Sequence, residues 1–243
     1  MNVRRPSTLR AGTAAGAAGL TLAVVLSGCG LVQAQGEAIP VSAQPAQLRA
    51  TQPSSFRTVH RSTSEERLRT RMRLLWEQHM EWTYATVAAF AADTRGLPPT
   101  LDRLLTNQAD LGAAIEPYYG QAAAARLTAL LTTHIKDAVP VLVAARAGDA
   151  AALHTAVVAW YANARQIADF LAGANPHWQR AEMRTMMRRH ITQTITYAGE
   201  QLTGHYAQSI VDYDAAEAHM LQMADMLTAG IVAQFPDRFA GTS

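Results

Sequence analysis

The sequence predicts an all-α protein: one bundle of about five to six helices, preceded by a signal peptide and a disordered tether. Three observations carry this. From residue 62 onward apolar side chains recur at three- and four-residue intervals. No stretch shows sustained alternation with β-branched enrichment, so no sheet is expected. Glycine, proline, Asx and capping residues punctuate the helical pattern at regular distances.

Ser62 and Glu65 have the spacing of a capping box. Met72, Leu75, Trp76, His79, Thr83, Val87 and Phe90 then trace the inner face of a first helix of about 30 residues, ending before the Gly96-Leu97-Pro98-Pro99 segment. A second helix is expected over 100–115, carrying Leu104, Leu105, Leu111 and Ile115 inward and stopping at Pro117. A third, over 120–147, places Leu127, Leu131, His134 and Ala138 on one stripe, with a kink at Pro140. Gly148 and Asp149 read as the end of that helix and the N-cap of the next. The fourth, over 150–171, buries Leu153, Val157, Trp160, Ala164, Ile167 and Leu171. Asn175 and Pro176 read as N-cap and first residue of a fifth, running to about Leu202. Gly204 separates it from a sixth, with Tyr206, Ile210, Tyr213, Glu217, Met220, Ala224, Leu227 and Ile231 inward.

Residues 1–28 have a different character. Arg4, Arg5 and Arg10 precede an Ala/Gly/Leu/Val run of about 15 residues and then small side chains, the layout of a secretory signal. At about 1.5 Å per residue this run is too short to span about 30 Å of hydrocarbon comfortably. Beyond the cut no membrane-spanning segment is expected. Residues 29–61 are rich in Gln, Ala, Pro, Ser and Thr, and cannot bury enough apolar surface to offset the entropy of ordering. As a coil such a segment reaches ~30 Å. Residues 62–243 form the bundle domain.

The chain has one cysteine, Cys29. The Leu26-Ser27-Gly28-Cys29 sequence resembles the lipobox of bacterial lipoproteins. That resemblance implies cleavage before Cys29, thioether attachment of a diacylglycerol, further acylation such as palmitate on the new amino group, and residence on the extracytoplasmic face of the cell membrane. Several acyl chains anchor stably where one does not. The thiol so used leaves none for a disulfide. The Arg4–Arg5 pair is also loosely similar to a twin-arginine export signal, which leaves the export route open.

Loss of residues 1–28 removes three arginines and no acids, taking the formal charge from +2 to −1. The mature protein is near neutral, and its charge gives no argument for nucleic acid. Arg180, Arg184 and Arg188 share a helix face at i+4 spacing and, with the arginines at the start of the first helix, could rest on anionic headgroups; an ordinary solvated face, with Glu65, Glu66 and Glu182 interspersed, is the preferred explanation.

Three of the eight histidines, His79, His134 and His190, fall on apolar stripes of three separate helices. Imidazoles on facing helices are how bundles build metal sites, with Asp110 as a candidate oxygen ligand. The Glu-x-x-His spacing of ferritin-like di-metal bundles is absent: Glu77 precedes His79 by two and faces elsewhere. No HExxH, phosphate loop or GxSxG elbow occurs. Trp76, Asn107, Tyr118 and Trp160 are candidates to line a pocket, with residues 107–120 as its rim. Each of these residues is equally at home in a packed core.

The segments WEQHMEWT, NQADLGAAIEPYYG, WYANARQIADFLAGANPHW and MADMLTAGIVAQFP resemble a widespread bacterial family of all-helical proteins with no assigned activity. The resemblance implies one helical domain and assigns no catalytic residue. The functional expectation is a membrane-anchored binding or structural module of the cell envelope, with enzymatic activity left open but not favoured; the alternative is a metal-binding bundle, or an enzyme using that metal, built on His79, His134 and His190.

Overall fold

A computed structural model of the chain describes residues 63–240. Cys29, the signal segment, the tether and the Ser62 cap lie outside the described residues. Five helices follow one another: α1 (Thr63–Ala91), α2 (Leu97–Ala147), α3 (Ala150–Ala174), α4 (Arg180–Thr203) and α5 (Tyr206–Gln234), closed by a 3₁₀ turn, Pro236–Arg238. No strand occurs among the described residues, and the all-α bundle is confirmed. Each helix packs on its successor and α5 returns to α1, while α4 also reaches across to α1 and α2. Cross-core contact of this kind brings distant stripes to one centre.

The expected second and third helices both form and adjoin at Gly120, and the span Leu97–Ala147 covers the two. Pro117 and Pro140 both lie inside α2, and the backbone leaves the helical region at Gly120 (φ 79°, ψ 168°). Pro117 offers no N–H to the preceding turn, but the bend falls three residues later, where a residue without Cβ accepts the positive φ. By length and composition α2 is apolar enough to cross a membrane, which the sequence reading did not anticipate. Here it is a core helix, with Leu104, Leu111, Leu127 and Leu131 buried.

Asn175 also differs from expectation. It ends α3, its N–H bonding Leu171 O at 3.2 Å, and α4 starts five residues later. The Asn175 Oδ1 accepts from His177 N at 2.8 Å and Trp178 N donates to Asn175 O at 3.1 Å. This tight turn swings Trp178 into the core, where it is 2% exposed. The α2–α3 junction follows the sequence signals: Gly148 takes φ 67°, and Asp149 accepts from Ala151 N and Ala152 N at 3.1 and 3.0 Å.

The stripe expected along α5 holds onward from Tyr213, which packs on Tyr84 and Tyr197, but not at Tyr206 and Ile210, which are 60% and 52% exposed. The first half of α5 also buries Ser209 and Ala216, and adds His219 to the interior.

A buried histidine row at the end of an apolar cavity

The side chains of His79 on α1, His134 on α2 and His190 on α4 meet in the core, each at most 3% exposed. His190 lies between the other two, with ring centroids 5.7 Å from His79 and 5.6 Å from His134. Trp76 packs edge-on against His79 at 5.7 Å and Trp160 against His134 at 5.4 Å, so indoles flank the row.

One tautomer follows from the hydrogen bonds. Asn163 Nδ2 donates to Leu130 O at 3.2 Å, which leaves its Oδ1 to face His134 Nδ1 at 2.9 Å. A carbonyl oxygen only accepts, so His134 Nδ1 carries the proton and Nε2 is a bare lone pair. That buried Nε2 has no partner, and neither has His190 Nδ1. Gln108 Nε2 donates to Leu104 O at 2.7 Å and reaches His79 Nδ1 at 3.4 Å.

Burial sets the charge of the row. It pushes His79 down to about 3, helped by His134, and His134 down to about 4 against the opposing effect of Asn163. His190 is held well below the ordinary histidine range by burial and by its histidine neighbours, His219 among them. At neutral pH the row is three uncharged imidazoles.

Above the row the bundle is incompletely filled. A cavity of about 40 Å³ lies against His79, His134 and His190, and a second of about 200 Å³ adjoins it between α1, α2, α3 and α4. Both are lined by Thr83, Val87, Ala138, Leu142, Trp160 and Thr194, so the two lie side by side. The wall is drier than its composition suggests. Thr83 Oγ1 donates to His79 O at 2.6 Å and Thr194 Oγ1 to His190 O at 2.9 Å, so both hydroxyl hydrogens are spent on their own helices. The buried polar atoms without any partner are His134 Nε2, His190 Nδ1 and the indole N–H of Trp160, and the threonine oxygens remain only as acceptors.

The other candidates go elsewhere. Asp110, proposed as an oxygen ligand, is not at the row: its side chain is 44% exposed and lies 3.8 Å from Arg103. Among the described residues no group of three or more His, Cys, Asp or Glu side chains is arranged to hold a metal ion. Asn107 is fully buried and donates to Leu75 O at 3.0 Å, tying α2 to α1. Tyr118 stacks on Phe239 at 5.9 Å near the carboxy-terminal turn, away from Trp160. Residues 107–120 are therefore a strut through the bundle, not the rim of the cavity. His219 escaped the sequence reading, although its place three residues after Ala216 and four before Met223 carried the signal. It is 2% exposed, with Nε2 3.1 Å from Met186 O.

Compared with known proteins, the chain matches no family model, no curated protein and no solved structure.

Proposed function

We propose that this chain is an extracytoplasmic lipoprotein, anchored through Cys29, whose bundle takes up a small, uncharged, mainly apolar molecule with one hydrogen-bonding head group. The observation that carries the reading is the end of the cavity. An apolar space of about 200 Å³ lies beside a row of neutral imidazoles with unpartnered nitrogens. A dry apolar cavity of about 150 Å³ already accepts a benzene-sized guest. A charged guest would lose its hydration here and find no ion of opposite sign. A phenol or alcohol would place its hydroxyl on His134 Nε2 and its body among Val87, Leu142 and Trp160.

Benzyl alcohol and benzoate, equal in size and different in charge, test this in a thermal-shift titration of the purified protein. Saturable stabilisation by the alcohol alone is expected; equal responses, or none, would overturn the reading, as would turnover of a bound guest. The anchor has its own test. Cys29→Ala should abolish lipidation and release or misprocess the protein, and a mature-sized Cys29→Ala species still in membranes would remove the lipoprotein part.

The fixed tautomer of His134 favours a second reading, a transition-metal ion on His134 Nε2 and His190 Nδ1. A hydrogen-bonded Nδ1–H behind a bare Nε2 is the usual support of a metal-ligating histidine. With two protein nitrogens the site suits a soft ion of low coordination number such as Cu(I). Stoichiometric metal in protein isolated without chelator, lost in His134→Ala, would decide for it.

A further inference from the structure

On the outer face of the bundle, α3 and α4 run antiparallel and frame an open groove of about 540 Å³ that contains Tyr161, Arg165, Arg184, Arg188 and Thr192. Two pairs fix the register across it. Tyr161 Oη lies 2.8 Å from Thr192 Oγ1, and Arg184 grips Asp169 with Nε and Nη2 at 2.7 and 2.8 Å. Arg165 is four residues after Tyr161 and four before Asp169; Arg188 is four before Thr192 and four after Arg184. The two arginines therefore stand at the same level on facing helices, one turn from each pair.

Arg165 receives only the longer-range attraction of Asp169. Asp169, the acid beside the groove, is spent on Arg184 and also faces Arg180 at 3.9 Å. The Arg184 fork holds its carboxyl below the usual range, so it stays ionised. Glu182 is two residues from Arg184 and turned to another face. Among the described residues neither Arg165 nor Arg188 has a carboxylate within ion-pair distance. Arg69 and Arg73 on α1 show the contrast, since both are paired with Asp225, at 3.2 and 2.7 Å.

We propose that the α3–α4 groove is an anion site, in which Arg165 and Arg188 clamp a phosphate group and the Tyr161 and Thr192 hydroxyls bind its oxygens. Guanidinium forks match tetrahedral oxyanions in two-pronged geometry. The facing arginines give the site its selectivity for a doubly accepting anion over chloride. The site is separate from the buried histidine cavity, and each can fail alone.

The test uses the full chain in phosphate-free buffer, titrated with inorganic phosphate against chloride at equal ionic strength and followed by melting temperature. Saturable stabilisation by phosphate is expected, weakened about tenfold or more in Arg165→Gln and in Arg188→Gln. A phosphate response no larger than that of chloride, or an unchanged response in both variants, overturns the proposal. Vesicles of phosphatidylcholine with and without phosphatidylglycerol, added as competitors, identify the source. Competition by the phosphatidylglycerol vesicles alone assigns the site to a lipid headgroup; none, beside a positive phosphate titration, assigns it to a soluble phosphate compound.

Discussion

The His134 Nδ1 proton is donated to Asn163 Oδ1 across 2.9 Å, and Asn163 is itself oriented by its bond to Leu130 O. The pair links α2 to α3 and decides which ring nitrogen faces the interior. Asn163→Asp should keep the acceptor and add a buried charge, which favours the imidazolium and lifts the His134 pKa from about 4 toward the neutral range. The His134 ring resonance in an NMR pH titration reads this directly. Asn163→Ala should instead strand the N–H and cost about 1–3 kcal/mol in denaturant unfolding.

The neutral histidines also predict how stability depends on pH. An unfolded histidine titrates near 6.5, whereas His79 and His134 stay neutral down to about 3 and 4. Between these limits the unfolded chain binds more protons, so stability is complete above about pH 6.5 and is lost as pH falls below it. Each such histidine contributes a slope of up to about 1.4 kcal/mol per pH unit. Unfolding free energies measured from pH 7.5 to 4.5 should fall steeply, and His190→Leu should flatten the curve by about one histidine's share. An unchanged slope in that variant would mean that His190 titrates in the folded protein.

These groups show what the sequence could disclose. His79, His134 and His190 were legible because each sits on an apolar stripe where a polar residue stands out. Their meeting was not, since periodicity gives a face and not its partner, and the contact of α4 with both α1 and α2 is tertiary. Asp110 was misplaced for the same reason: one position off a stripe, a long helix turns it to Arg103 at the surface. Helix starts and stops followed capping chemistry at Asp149, whereas the Asn175-Pro176 pair, equally good as a cap, served a turn that buries Trp178. Tyr206 and Ile210 kept the helical period but face solvent, while Ser209 beside them turns to Tyr197 O and is buried. The arginine clamp needed a register between helices, which spacing within one helix cannot supply.

Filling the cavity should separate binding from folding. Ala138 lines both cavities, and Ala138→Leu would occupy the space beside the imidazoles. Burying added methylenes in existing space gains about 0.8 kcal/mol each when no neighbour must move. The variant should be as stable as the wild type or more so, yet lose the benzyl alcohol response. A retained response would place the guest outside this cavity.

The opposite result is expected at Gly230, on the face of α5 that meets the Asn175–Trp178 turn. A methyl group there would run into the Trp178 indole, which is 2% exposed and wedged in the core. The ring cannot swing aside, because the turn that carries it is fixed by Asn175, whose Oδ1 accepts from His177 N and whose Nδ2 donates to Tyr119 Oη, both at 2.8 Å. Gly230→Ala should therefore be destabilising despite its gain in helix propensity of about 1 kcal/mol, by an overpacking cost of about 1–3 kcal/mol. Gly173, where a methyl group meets nothing within 4 Å, supplies the control in α3: Gly173→Ala should raise the melting temperature. Chemical denaturation of the two variants measures both terms, and a stable Gly230→Ala protein would show that the Trp178 turn yields more readily than its hydrogen bonds imply.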